Sequence, residues 1–217
     1  MRFRRRVRLP VPSPGTAWRA AEFCVIDLET TGLDLRRDQI VAYGAVIVAQ
    51  ARIPCGRTAY GLVRPTRAIS VPALTVHGLR PADLAGAPTI DEAAGELIDL
   101  LSNRVLVAHA AWIERAFINR ALRPRGVTLG RAVLDTAALL RACRLAELDP
   151  AHEPNLETAS RELGLPVHTP HHALGDAFTT AQLFLALATR LERVPAGRDP
   201  RPLTLRQLCV ISRHHSL

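Results

Sequence analysis

Apolar positions along the chain come first as short continuous runs and later as helically spaced stripes. Phe23-Cys24-Val25-Ile26 leads straight into Asp27, residues 40–48 form a second run, and Tyr60-Gly61-Leu62-Val63 a third. Their β-branched content and bounding turn residues predict strands. The short Gly/Asp-rich break between the first two suits antiparallel neighbours. Over 91–101 the spacing becomes helical, with Ala94, Leu97, Ile98 and Leu101 on one side. Residues 104–108 are again strand-like. A helix over 112–122 is stopped by Pro124 and Gly126. Val133-Leu134 is a brief strand, and Asp135 is placed to cap the next helix. Further helices are predicted over 155–163 and 174–191. This order predicts an α/β domain with a mixed sheet flanked by helices.

The ends look different. Residues 1–21 combine a basic run with Pro10, Pro12, Pro14 and Gly15 and read as an irregular arm. Residues 22–192 form the domain. Residues 193–217 read as a linker followed by a tail, with one more short helix over 203–211. No apolar run approaches the roughly 18 residues of a membrane span, and nothing apolar follows the N-terminal charges as a secretory signal requires. The four cysteines are scattered, which suits a reducing cytoplasm where each is a small buried hydrophobe. Net charge is +8, and Arg2, Arg4, Arg5, Arg6 and Arg8 account for most of the excess. That balance suits nucleic acid. Equally, all 28 basic residues are arginine, which has the look of a GC-rich bacterial genome.

Three clusters carry candidate chemistry. In Asp27-Leu28-Glu29-Thr30-Thr31-Gly32-Leu33 an apolar strand runs into two carboxylates at i and i+2, which share a face. Such a pair repels unless a cation lies between its members, although a solvated strand end would show the same spacing. In His171-His172-Ala173-Leu174-Gly175-Asp176-Ala177 a loop histidine precedes a helix whose first turns carry Asp176. A His so placed can accept a proton near neutrality, and an Asp at a helix N-terminus is also favoured by the dipole alone. Glu114 follows His109-Ala110-Ala111-Trp112-Ile113. It shares a side with Phe117 and Ile118 and lies off the polar stripe of Arg115, Asn119 and Arg123; the helix dipole again offers a plainer account.

Taken together, these clusters resemble the DEDDh branch of the DEDD superfamily of 3′–5′ exonucleases, the group of the proofreading epsilon subunit of bacterial DNA polymerase III. The first motif, D-x-E-T-T-G-L, is complete at 27–33. The third, H-x-A-L-x-D-A, is complete at 171–177, about 140 residues later. Val76-His77-Gly78-Leu79 resembles a further family segment, and Leu134-Asp135-Thr136 another. The second motif departs: where the family reads H-N-A-x-F-D, this chain has Ala110 for Asn, Ile113 for Phe and Glu114 for Asp.

The resemblance implies a ribonuclease H-like sheet, three antiparallel strands followed by parallel ones. It also implies two divalent ions, Mg²⁺ or Mn²⁺, held by Asp27, Glu29, Asp176 and Glu114, with His171 as general base. Thr30 (through its backbone), Leu33 (as an apolar wedge) and His77 would meet the terminal nucleotide. The substrate implied is a 3′ end, single-stranded DNA by preference, in a proofreading or repair setting with a DNA polymerase or replisome component as partner. The alternatives are an RNA exonuclease of the same branch and a binding module whose catalysis has decayed.

Overall fold

The computed structural model describes residues 6–149, 153–193 and 202–215. Arg2, Arg4 and Arg5 of the basic run, and most of the expected linker, lie outside them. In chain order, β1 (Val7–Arg8) is followed by a 3-10 turn at Trp18–Ala20, then β2 (Glu22–Thr30), β3 (Ile40–Ala49) and β4 (Thr58–Leu62). Two short helices follow, α1 (Val71–His77) and α2 (Pro81–Leu84), then α3 (Ile90–Leu101), β5 (Val105–Ala108) and α4 (Trp112–Leu122). The remainder is β6 (Val127–Thr128), β7 (Val133–Asp135), α5 (Thr136–Ala142), α6 (Leu156–Glu162), α7 (Ala173–Arg193) and α8 (Leu205–His215).

The main sheet has the order β4-β3-β2-β5-β7. Its first three strands are antiparallel, and β5 and β7 run parallel to β2. This is the mixed sheet the sequence predicts. Strand alternation divides the core into two layers. Phe23 and Val25 of β2 and Val105 and Val107 of β5 face α5, α7 and α8. Cys24, Ile26 and Leu106 face α3 and α4. α3 starts from a capping box in which Thr89 and Glu92 exchange hydrogen bonds. No helix of the described residues is long and apolar enough to cross a membrane.

Several expectations need correction. The segment before residue 22 is irregular in path but, where described, is not a loose arm. Leu9 is buried, Trp18 is fully buried against Phe184, and β1 pairs in parallel with β6. The C-terminal tail is also part of the core, through Leu203, Leu205 and Leu208. Cys55 is exposed, unlike the other three cysteines. Asn119 does not belong to a solvated stripe: its Oδ1 accepts from the Thr128 hydroxyl and the Leu129 N–H and ties α4 to β6. α1, α2, β1 and β6 are additions that periodicity did not predict.

Candidate active site

β2 carries Asp27 and Glu29 within the strand, on the face turned to α7, while Leu28 between them packs toward α3 and α4. Across the ladder Asp27 is paired with Gly44 of β3. A Cβ on Gly44 would overlap the Leu174 N and the Ala173 carbonyl. Glycine there lets the first turn of α7 lie directly on the sheet at the level of Asp27. Gly175 has the same role on the helix side, because a Cβ would meet the carbonyl oxygens of Thr169 and His168 in the loop folded back over that turn. Asp176 is thereby set beside the strand, and one carboxylate oxygen each of Asp27, Glu29 and Asp176 lie within 4.8 Å of one another.

Glu114 approaches from α4. It is buried, and among the described residues its Oε2 has no hydrogen-bond partner. Its charge is felt at Asp27. The turn that delivers it is clamped from below by Asp135, which does more than cap α5 through the Ala137 N–H. Its two oxygens also accept the N–H groups of Ala110 and Ala111, each at 3.1 Å. Ala110 sits at φ +56°, in the left-handed region where Asn is tolerated far better than Ala. The Asn of the family motif is therefore a backbone preference as well as a polar group, and this chain holds the strained turn with Asp135 instead. The Asp135 N–H donates in turn to the Ser212 hydroxyl of α8 at 3.0 Å.

The electrostatics follow from burial and like charge. Burial first, then the Asp176 charge, pushes Glu29 up to about 7. Burial chiefly pushes Glu114 up to about 8. Asp27 is raised well above the usual carboxylate range by burial, then by Glu114, Asp176 and Glu29. Asp176 is raised by burial, with partial relief from the His171 backbone N–H that it accepts at 2.8 Å. Oxygen donors gathered in this way, one of them unpartnered, fit a hard divalent cation.

His171 lies in the loop before α7 at φ +60°. Its imidazole stands at the solvent edge, Nε2 being 3.8 Å from Glu157 Oε1. His172 stacks on Tyr60, centroids 4.6 Å apart. Burial and then the Glu29 charge raise the Tyr60 hydroxyl, which marks this stack as a wall of the site. His77, at the end of α1, accepts the Leu79 N–H at Nδ1, so Nε2 is the donor to the Thr30 carbonyl, 3.3 Å away. Burial lowers its pKa, which agrees with the neutral ring. Leu33 is 74% exposed on the loop after β2.

Asp27, Glu29, Asp176, Glu114 and His171 thus come to one place, with Thr30 and His77 joined beside it and Leu33 at its rim. Sequence reasoning missed Gly44, Tyr60, Glu157 and Ser212, which belong to no motif. Gly44 could have been suspected as a glycine interrupting a β-branched strand, a sign of close backbone approach.

Residues 24–184 match the RNase T exonuclease family model. The chain is 31% identical over 175 residues to DNA polymerase III PolC-type of Thermotoga petrophila, covering 80% of this chain and 12% of that protein. It is 34% identical over 173 residues to a DNA polymerase III subunit epsilon-like protein of Rhodobacter capsulatus, covering 78% and 24%. The match therefore spans a quarter or less of these relatives' length. Among solved structures, Exonuclease X in complex with 5′ overhanging duplex DNA is similar at a TM-score of 0.65 and 26% identity, covering 88% of this chain and 99% of that one. The chain belongs to the RNase T exonuclease family, whose members include 3′–5′ exonucleases of the epsilon type.

Proposed function

We propose that this chain hydrolyses the terminal phosphodiester at the 3′ end of DNA and releases nucleoside monophosphates, using two divalent ions, Mg²⁺ or Mn²⁺. The observation that carries the reading is the convergence of Asp27, Glu29 and Asp176, with Glu114 beside them and His171 at the edge. Asp27, Glu29 and Asp176 would hold one ion, and Asp27 with Glu114 the other. Such ions supply charge stabilisation at the phosphate oxygens and make water a competent nucleophile near neutrality.

The chain's own groups do the remainder. The His171 imidazole, solvent-facing and one helix turn from Asp176, takes the proton of the attacking water. The Asp176–His171 backbone bond fixes the loop from which it does so. Leu33 meets the terminal base as an apolar surface, and Thr30 and His77 form the floor under the terminal sugar. DNA is favoured over RNA by the relatives named for DNA polymerase III and by the DNA-bound Exonuclease X. The same names support a proofreading or repair role beside a polymerase. The unpartnered Glu114 Oε2 favours a working second ion position over a decayed one.

The test is release of mononucleotide from 3′-labelled single-stranded DNA and matched RNA, with Mg²⁺, Mn²⁺ or EDTA. Ion-dependent release, faster on DNA, is expected. Asp27→Ala should abolish it, and His171→Ala should slow it by about 10²–10⁴-fold. RNA cleaved as fast as DNA would move the assignment to an RNA exonuclease. Silence of the wild type, with tight binding retained, would leave a binding module.

A further inference from the structure

A cavity of about 240 Å³ lies on the far side of α4 from the carboxylates, between α4, the approach to β7 and α8. Trp112, Arg115, Arg131, Arg213, Asp135 and Ser212 are in its wall. Trp112 and Arg115 are three residues apart on α4 and share a side. Glu114, roughly 200° around the helix from Trp112, faces the metal-binding cluster instead. Trp112 is 51% exposed. Arg115 and Arg131 are exposed and have no ion pair or side-chain hydrogen bond among the described residues. The one carboxylate in the wall, Asp135, has both oxygens occupied by backbone N–H groups.

Three guanidinium groups around a hollow with a bare indole are suited to a phosphodiester and an unpaired base: arginine for the phosphate and the aromatic face for stacking. We propose that this cavity is a subsite for the substrate strand on the 5′ side of the scissile bond. A phosphate is held among Arg115, Arg131 and Arg213, and its base lies against Trp112. The proposal rests on the exonuclease reading above. One helix separates the cavity from the carboxylates, roughly 10 Å, a span of about three phosphates at ~3.4 Å each. Arg213 comes from α8, outside the segment that matches the exonuclease family, so the subsite is particular to this chain.

The experiment compares kcat/KM on 3′-labelled single-stranded DNA of 2 and 12 nucleotides for wild type, Trp112→Ala, Trp112→Phe and the Arg115→Ala/Arg131→Ala double variant. Alongside it, anisotropy gives Kd for a fluorescein-labelled 12-mer in EDTA over a range of salt. Wild type should prefer the 12-mer. The double variant and Trp112→Ala should lose at least about ten-fold of that preference, and Trp112→Phe, which keeps a stacking face, should recover most of it. The log Kd against log salt slope should fall by about 1.4 in the double variant, ~0.7 for each lost phosphate contact on a single strand. Equal losses on both lengths, or an unchanged salt slope, would overturn the subsite. A wild type that cleaves neither length would instead sink the exonuclease reading, while the binding arm would still judge the cavity.

Discussion

Four acids share a space in which at most some can be charged unless a cation joins them, and this governs the residue scale. Glu29 and Glu114 are raised from 4.5 to about 7 and about 8 by burial above all. A carboxyl raised on folding contributes stability that is whole below about pH 4.5 and is lost as pH rises through the folded value. The ion-free protein is therefore expected to melt lower at pH 8.5 than at pH 5.5, on the order of 5 °C. Mg²⁺ should recover the loss at pH 8.5. Differential scanning calorimetry in EDTA, with and without added ion, checks this. A flat profile would mean that the acids are not strained in the empty site. At this scale the sequence was most legible, because strand alternation and motif order place Asp27, Glu29, Asp176 and His171 without knowledge of packing. The tie from Ser212 to Asp135 was not legible, since a lone serine 77 residues away carries no signal of its partner.

At the scale of elements, the site depends on how closely α7 settles on β3. Gly44→Ala would drive a methyl group into the helix backbone. Overpacking of this kind costs about 1–3 kcal/mol, and relief by a shift of the α7 turn would carry Asp176 away from Asp27. A large loss of nuclease activity with a modest loss of stability in urea is expected. Full activity would mean that the helix can yield without moving Asp176. The long strands and the helices with a buried stripe could be read from their periodicity. α1 could not, because its seven residues bury no side chain and so have no apolar face to betray them. Its cap is plain only in retrospect: the Ser70 hydroxyl accepts the Ala73 N–H, and Gly78 ends the helix in the left-handed conformation.

For the whole molecule, the two ends are structural. Ala17 and Thr204 form an antiparallel bridge, the Trp18 N–H donates to the Leu203 carbonyl, and the Leu205 N–H donates to that of Thr16. Proline and arginine content made the first segment read as an arm, since composition averages over the one tryptophan that anchors it. Leu208, fully buried beneath α8, tests how far the tail belongs to the fold. Leu208→Ala is expected to cost about 2–5 kcal/mol in a single cooperative urea transition. A separate early transition would show that α8 melts independently of the sheet.

The pairing of residues 16–18 with 203–205 has a consequence for how the protein is made. The N-terminal segment leaves the ribosome first but must wait for almost the whole chain before its backbone partners exist. The turn bearing Glu114 likewise waits for Ser212. At roughly 5–20 residues per second, the sheet has many seconds to form before the hydrolytic centre can be completed. The nascent enzyme is thus held inactive until its final helix is in place.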